Sequence, residues 1–241
     1  MTVQDYGAWG ALNDELAGPA ELDFLQYMRE SLPNAARIFE VGIGSGRLAL
    51  PLARLGFEVS GIDSSAGMLR LLALNDPERR VTAWKADIVH DDDATTYDGV
   101  LLAYNVLSML PDRESLQQGL RNACRHVAPG GLLLIENVAP QAILTQLNER
   151  NQTVGVQFYG DDVWLNLGRY FPNDQRFRVR YVAFEHGQVV QRAGDLTLIA
   201  ADEVCALMAE RGFTLLRQSQ DWSGQPSGPD SASYVLTFAK Q

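Results

Sequence analysis

Arg37-Ile38-Phe39-Glu40-Val41-Gly42-Ile43-Gly44-Ser45-Gly46-Arg47-Leu48-Ala49-Leu50 decides how this chain is read. The first five residues form a short apolar run, glycines then occupy every second position, and the residues from Arg47 have helical composition. A strand, a turn almost bare of side chains and a helix start make a nucleotide-type site. The helix N-terminus offers amide donors, and glycines let a flat polar ligand come close to the backbone. The glycines fall two apart, whereas the dinucleotide pattern G-x-G-x-x-G needs its third glycine at Arg47. That offset points away from a nicotinamide dinucleotide.

Outward from this turn, apolar runs recur and end on polar groups. Residues 57–62 lead into Asp63, where a strand-end carboxylate can accept from both hydroxyls of a ribose. Residues 81–88 end at Asp87-Ile88, residues 97–105 at Tyr104-Asn105, and residues 131–136 at Glu136, after the turn Ala128-Pro129-Gly130. Residues 115–127 read as a helix carrying Leu116, Leu120, Cys124 and Val127 on the face that covers the sheet, which leaves His126 exposed. Upstream, residues 6–27 read as helical pieces with an apolar stripe of Leu22, Leu25 and Met28.

Beyond Pro140 the pattern changes. Residues 162–171 and 177–185 alternate as half-buried strands do, and His186-Gly187 turns into residues 188–192, so an inserted antiparallel β ribbon is expected. Residues 202–212 read as a helix stopped by Gly212, and residues 214–217 and 234–238 as the last two strands.

In this order the motifs resemble those of the class I S-adenosylmethionine-dependent methyltransferases, motif by motif from Arg37 to Val138. Glu40-Val41-Gly42-Ile43-Gly44-Ser45-Gly46 resembles the first motif of that family, Gly61-Ile62-Asp63-Ser64-Ser65 the second, and Ala86-Asp87-Ile88 the adenine-edge motif. Ala103-Tyr104-Asn105-Val106-Leu107 and Ala128-Pro129-Gly130-Gly131-Leu132-Leu133 resemble the fourth- and fifth-strand signatures. The ribbon is similar to that of small-molecule N-methyltransferases acting on amino sugars and glycine.

The resemblance implies an α/β fold: a Rossmann-like, doubly wound seven-stranded sheet with an antiparallel last strand, an N-terminal helical lid and the inserted ribbon. One domain over residues 1–241 is expected, with the lid at 1–36, a cofactor core at 37–138, an acceptor-side insertion at 139–200, and a terminal helix and strand pair at 201–241. S-adenosylmethionine is the implied cofactor and S-adenosylhomocysteine the product. Backbone around Gly42 and Gly44 would hold the methionyl part, with Gly46 also in the cofactor-binding turn, Glu40 orienting the turn or the ammonium and Arg47 facing the carboxylate. Asp63 would take the ribose, Ser64 and Met68 the adenine face, Asp87 the exocyclic amine and Ile88 the ring edge. Tyr104 and Asn105 would mark the rim where cofactor meets acceptor, and the segment carrying Tyr6 and Trp9 would fold over the cofactor as a lid. Bland roles stand beside these: core packing for Met68, a turn cap for Asp87 and a solvated position for Arg47.

At 241 residues and 46% hydrophobic content the chain can bury a full core. Its formal charge of −10 and scattered Lys and Arg disfavour nucleic acid and anionic membranes as partners. The expected setting is the cytoplasm, and the expected partner is a small-molecule methyl acceptor. A homodimer through the ribbon edge is allowed but opposed by the Arg and Glu along it. Cys124 and Cys205 are too few for a disulfide framework, no metal site is expected, and Asp91-Asp92-Asp93 reads as a solvated linker. With neither a metal cluster nor a His–Asp pair in view, nitrogen is the favoured acceptor atom, since a neutral amine attacks without prior ionisation. Tyr170, Glu136, Tyr159 and His186 are the catalytic candidates, with Asn137 and Asp161 beside them and Trp164 as a pocket wall. The alternatives are a small-molecule O- or C-methyltransferase and a non-catalytic protein that binds the same cofactor.

Overall fold

The computed structural model describes residues 22–159, 162–185 and 188–241. Tyr6, Trp9, Asp161 and His186 lie outside them.

Seven strands form the main sheet: β1 (Arg37–Val41), β2 (Glu58–Asp63), β3 (Thr82–Lys85), β4 (Tyr97–Leu102), β5 (Val127–Val138), β10 (Phe213–Ser219) and β11 (Ser233–Lys240). Their spatial order is β10-β11-β5-β4-β1-β2-β3. The run from β3 to β5 is parallel, and β11 is antiparallel to both β5 and β10. This is the expected doubly wound sheet with its reversed last strand. Central parallel strands are covered on both faces, which is why β1 and β4 read as nearly unbroken apolar runs.

Alternate residues of those strands feed two cores. Phe39, Val41, Val100, Leu102 and Leu133 face α5 (Arg113–Arg125) and α7 (Ala201–Ala209), while Ile38, Val59, Leu101 and Leu134 face α1 (Leu22–Ser31) and α2 (Ala49–Arg54). On α1 the buried stripe is Phe24, Tyr27 and Met28, while Leu22 points to solvent, one step round from the stripe read off the sequence. The long-range partner is the reason. Trp222 meets Phe24 and Tyr27 edge-on at 5.0 and 5.4 Å, and the Tyr27 hydroxyl bonds Thr237 Oγ1 at 2.6 Å.

The helix expected over 115–127 runs from Arg113, capped by Asp112, to Arg125. His126, expected to be exposed, is 1% accessible. It packs against Phe39 with tilted rings whose centres are 4.5 Å apart, and its Nε2 lies 2.6 Å from Asp91 Oδ2 and its Nδ1 2.8 Å from the Thr95 carbonyl. So Asp91 is not solvated linker but a buried partner, and Arg125 bonds the carbonyls of Asp91 and Asp92. This pair closes the end of the sheet where β4 and β5 begin.

The ribbon is larger than its sequence signal. β6 (Gln152–Tyr159), β7 (Asp162–Phe171), β8 (Arg176–Glu185) and β9 (Gln188–Thr197) form a four-stranded antiparallel sheet in that order. One face packs Phe177, Val179, Tyr170 and Leu196 against Val138, Leu147 and α6 (Pro140–Leu144). Thr197 Oγ1 donates to Leu110 O at 2.8 Å and Arg113 to Leu198 O at 3.1 Å, which fastens β9 beside α4 (Val106–Met109).

Candidate active site

The sheet order turns back between β1 and β4: from β1 the chain proceeds outward to β2 and β3, then returns to place β4 on the other side. Ligand crevices in open α/β sheets form at the carboxyl ends of such strands, where the loops diverge in opposite directions. Here those loops are the glycine turn after β1 and the Tyr104–Asn105 turn after β4.

Gly42, Gly44 and Gly46 all have positive φ, at 75°, 56° and 88°. A Cβ at Gly42 would lie 2.6 Å from Val106 Cγ2, and one at Gly44 2.9 Å from Met68 Cε, so the turn is bare by steric necessity as well as by conformation. Its amides are mostly committed within the fold. Gly42 and Ile43 donate to Ile62 O, Gly44 to Asp63 and Gly46 to Ile43 O. The turn therefore offers a ligand closeness rather than those four donors, which narrows the donor role expected from the sequence.

Asp63, at the end of β2, accepts from Gly44 N (2.9 Å) through Oδ2 and from Ser65 N (2.7 Å) through Oδ1. Burial pushes its carboxyl above the usual carboxylate value of 3.8, and the Ser65 and Gly44 amides pull it back. Each oxygen keeps a further lone pair for an incoming donor. Ser65 also caps α3 (Ala66–Asn75), taking Met68 N on Oγ at 3.3 Å. Met68 thus reaches back over Gly44 from the first turn of α3, while Ser64 beside Asp63 is exposed. Glu40, facing Gly61 across the register, is 4% exposed.

Across the crevice, Tyr104 and Asn105 both hold left-handed backbone, with φ of 56° and 67°. Such strain persists only where its surroundings over-determine it. Glu136 Oε2 accepts from Tyr104 N at 3.0 Å, Asn105 N donates to Glu136 O at 3.3 Å, and Asn105 Oδ1 accepts from Val138 N at 2.5 Å. Glu136 and Asn105 thereby clamp the end of β4 to β5. The guanidinium of Arg47 lies 4.5 Å over the half-exposed Tyr104 ring, which ties the α2 side of the crevice to the β4 side.

The other candidates have these surroundings. Asp87 is exposed and accepts from Val89 N at 2.9 Å, the geometry of a turn cap. Ile88 is buried in the core, and Asn122 Nδ2 holds its carbonyl at 2.7 Å. Asn137 is locked in a buried network with Ser108 and Tyr234, whose hydroxyl reaches Ile199 O. Tyr170 is half-buried in the apolar cluster under the second sheet, and Trp164 is buried in β7. Tyr159 pairs with Asp162 across β6 and β7. Among the described residues no three His, Cys, Asp or Glu side chains group as metal ligands, and the His126–Asp91 pair, which the sequence did not disclose, sits at the opposite end of the sheet from the crevice. Val106, Ser65 and Asn122 are the shaping residues that sequence reading passed over. Only Ser65 carried a local signal, as a cap before the helical run.

A doubly wound sheet with a crevice at this switch point is a Rossmann-like nucleotide-binding core. Residues 38–131 match the family model described as a methyltransferase domain. A Geobacillus sp. (strain WCH70) protein bearing a provisional methyltransferase name is 27% identical over the whole of both chains. A ubiquinone biosynthesis O-methyltransferase of Alkalilimnicola ehrlichii is 32% identical over 50% of this chain and 48% of its own. Among solved structures, the CcbJ methyltransferase of Streptomyces caelestis superposes with TM-score 0.87 at 23% identity over 99% of each chain. CalS10, an amino pentose methyltransferase from Micromonospora echinaspora with S-adenosylmethionine bound, does so with TM-score 0.69 at 20% identity, over 100% of this chain and 98% of its own. Residues 38–131 thus carry a methyltransferase domain, and the whole chain shares its fold with S-adenosylmethionine-dependent methyltransferases.

Proposed function

We propose that the protein transfers a methyl group to an amine nitrogen of a small-molecule acceptor, and that it does so chiefly by positioning. The observation that carries the reading is the crevice itself: a side-chain-free turn at Gly42–Gly46, an acceptor carboxylate at Asp63 and a pinned, strained Tyr104–Asn105 rim meet at the switch between β1 and β4. When bound, S-adenosylmethionine supplies an electrophilic methyl on a sulfonium, open to in-line displacement by a lone pair. The chain's own work is then to hold and to orient. Asp63 takes the ribose hydroxyls, the glycine turn lets the methionyl part lie against backbone, and Met68 covers the adenine side. Glu40 serves the ammonium end and Arg47 the carboxylate. Glu136 acts through Tyr104, holding the ring at the mouth where acceptor meets methyl. Correct orientation can supply roughly 7–11 kcal/mol of barrier reduction, so no general base is required of a neutral amine.

Nitrogen is supported by the likeness to CalS10, an amino pentose methyltransferase, and to the glycopeptide N-methyltransferase MtfA; the ubiquinone O-methyltransferase relatives support the hydroxyl alternative. The second sheet, fastened next to α4, stands where an acceptor wall is needed. No helix of the described residues is long and apolar enough to cross a membrane. The test is transfer of isotopically labelled methyl to a paired library of small amines and hydroxyl compounds. Product confined to hydroxyl compounds would refute the nitrogen assignment. Cofactor binding with no product from any acceptor would favour a non-catalytic binding protein.

A further inference from the structure

The outer face of the second sheet, turned away from the Phe177–Val179 cluster, is strongly apolar. Val154, Val156, Phe158, Leu167, Phe184 and Val189 all project from it, and Val154 is 72% exposed, Phe158 71%, Val189 59% and Val156 53%. The register makes them contiguous: Val154 lies opposite Leu167, Val156 opposite Leu165, and Phe184 opposite Val189. Single exposed apolar residues need no explanation, but a continuous patch over four strands marks an interaction surface. We propose that this face docks a second copy of the chain, sheet against sheet.

Size and charge both favour that occupant. Four strands about 4.8 Å apart, eight residues long in β6 and ten in β7, β8 and β9, at about 3.3 Å per residue span roughly 600 Å². With side-chain relief this approaches the roughly 800 Å² per partner of a standard interface. The face is also polar end to end. At one end Arg169 and Arg178 flank the Phe171 ring at 5.1 and 4.8 Å, and Arg178 and Arg180 reach Asp195 at 3.5 and 3.4 Å. At the other end stand Phe158, Phe184 and Val189. A two-fold axis lying across the strands sets each arginine end over the partner's phenylalanine end, where guanidinium meets aromatic face. An axis along the strands would stack arginine on arginine. The face therefore complements itself in one of the two orientations, as an isologous contact requires.

Sedimentation velocity on the full chain tests this across a wide concentration range. The wild type should sediment at twice the 26.6 kDa chain mass, and Val156→Glu/Phe158→Glu at the single mass with its calorimetric affinity for S-adenosylhomocysteine unchanged. Arg178→Glu, on a side chain that is half in solvent, checks the orientation without touching the apolar patch and should weaken self-association at least tenfold. A monomeric wild type overturns the proposal, whatever else then covers the face. So does a dimer that survives both variants, because it must use another surface.

Discussion

Replacing Asp63 by alanine tests the heart of the proposed site. In the ligand-free fold this carboxylate accepts Gly44 N at 2.9 Å and Ser65 N at 2.7 Å, which leaves one open lone-pair direction on each oxygen for a ribose hydroxyl. Hydrogen bonds to a charged group contribute about 1.5–3 kcal/mol each, so two hydroxyls stand to lose roughly 3–6 kcal/mol. The carboxylate is only partly buried and already shares its charge with two amides, so the lower end applies: about 3 kcal/mol, or about a hundredfold in Kd. Isothermal calorimetry with S-adenosylhomocysteine reads this directly, with circular dichroism as the check that the fold is intact. The pH profile gives a second, independent readout. Burial holds the Asp63 carboxyl above its ordinary 3.8, so on acidification it gains its proton earlier than a free carboxylate and ceases to accept from a hydroxyl. Affinity should therefore begin to fall at a pH above that value in the wild type, and this component should be absent from Asp63→Ala. An alanine variant that is folded and binds with unchanged Kd would refute the ribose role.

Three further outcomes follow from the same geometry. Gly42→Ala places a methyl 2.6 Å from Val106 Cγ2 on backbone at φ 75°; strain and clash should cost about 1–3 kcal/mol and sharply weaken cofactor binding, read by melting temperature and calorimetry. His126→Ala strips a buried carboxylate, Asp91, of its partner and should cost about 3–5 kcal/mol in urea unfolding, while cofactor affinity in the fraction that stays folded is unchanged because the pair lies at the far end of the sheet. Burial pushes the Cys124 thiol from 9.0 up to about 11, so between those values the unfolded chain releases a proton that the folded chain keeps. Stability should then fall as pH rises through that window, and should fall less in Cys124→Ala; a thiol reagent at neutral pH should leave Cys124 unlabelled until the chain unfolds.

Much of the sheet was legible because its signals are local. Parallel strands buried on both faces announce themselves as short apolar runs, and the glycines at 42, 44 and 46 mark left-handed backbone that other residues resist. Asp63 was readable as a strand-end acid next to that turn. β6 was not, because its apolar residues Val154, Val156 and Phe158 are exposed and the alternate positions Thr153, Gly155 and Gln157 carry no apolar side chain, so the usual signal of a half-buried strand is missing. α1 overlaps the helical segment expected over 6–27 but runs on to Ser31, and its buried stripe was misjudged, since Trp222, nearly two hundred residues away, selects Phe24 and Tyr27.

By itself, the order of residues determined the class of fold and the position of the crevice, because backbone conformation at glycine and the burial of apolar runs depend on near neighbours. Tertiary structure alone decided which polar groups are free to act. It committed the turn's amides to Ile62 and Asp63, spent Asn137 and Asn105 on holding strands together, and buried His126 against an aspartate 35 residues away. Hydrogen-bond partners are chosen by proximity in space, and a buried polar group takes whichever partner the packed chain brings to it.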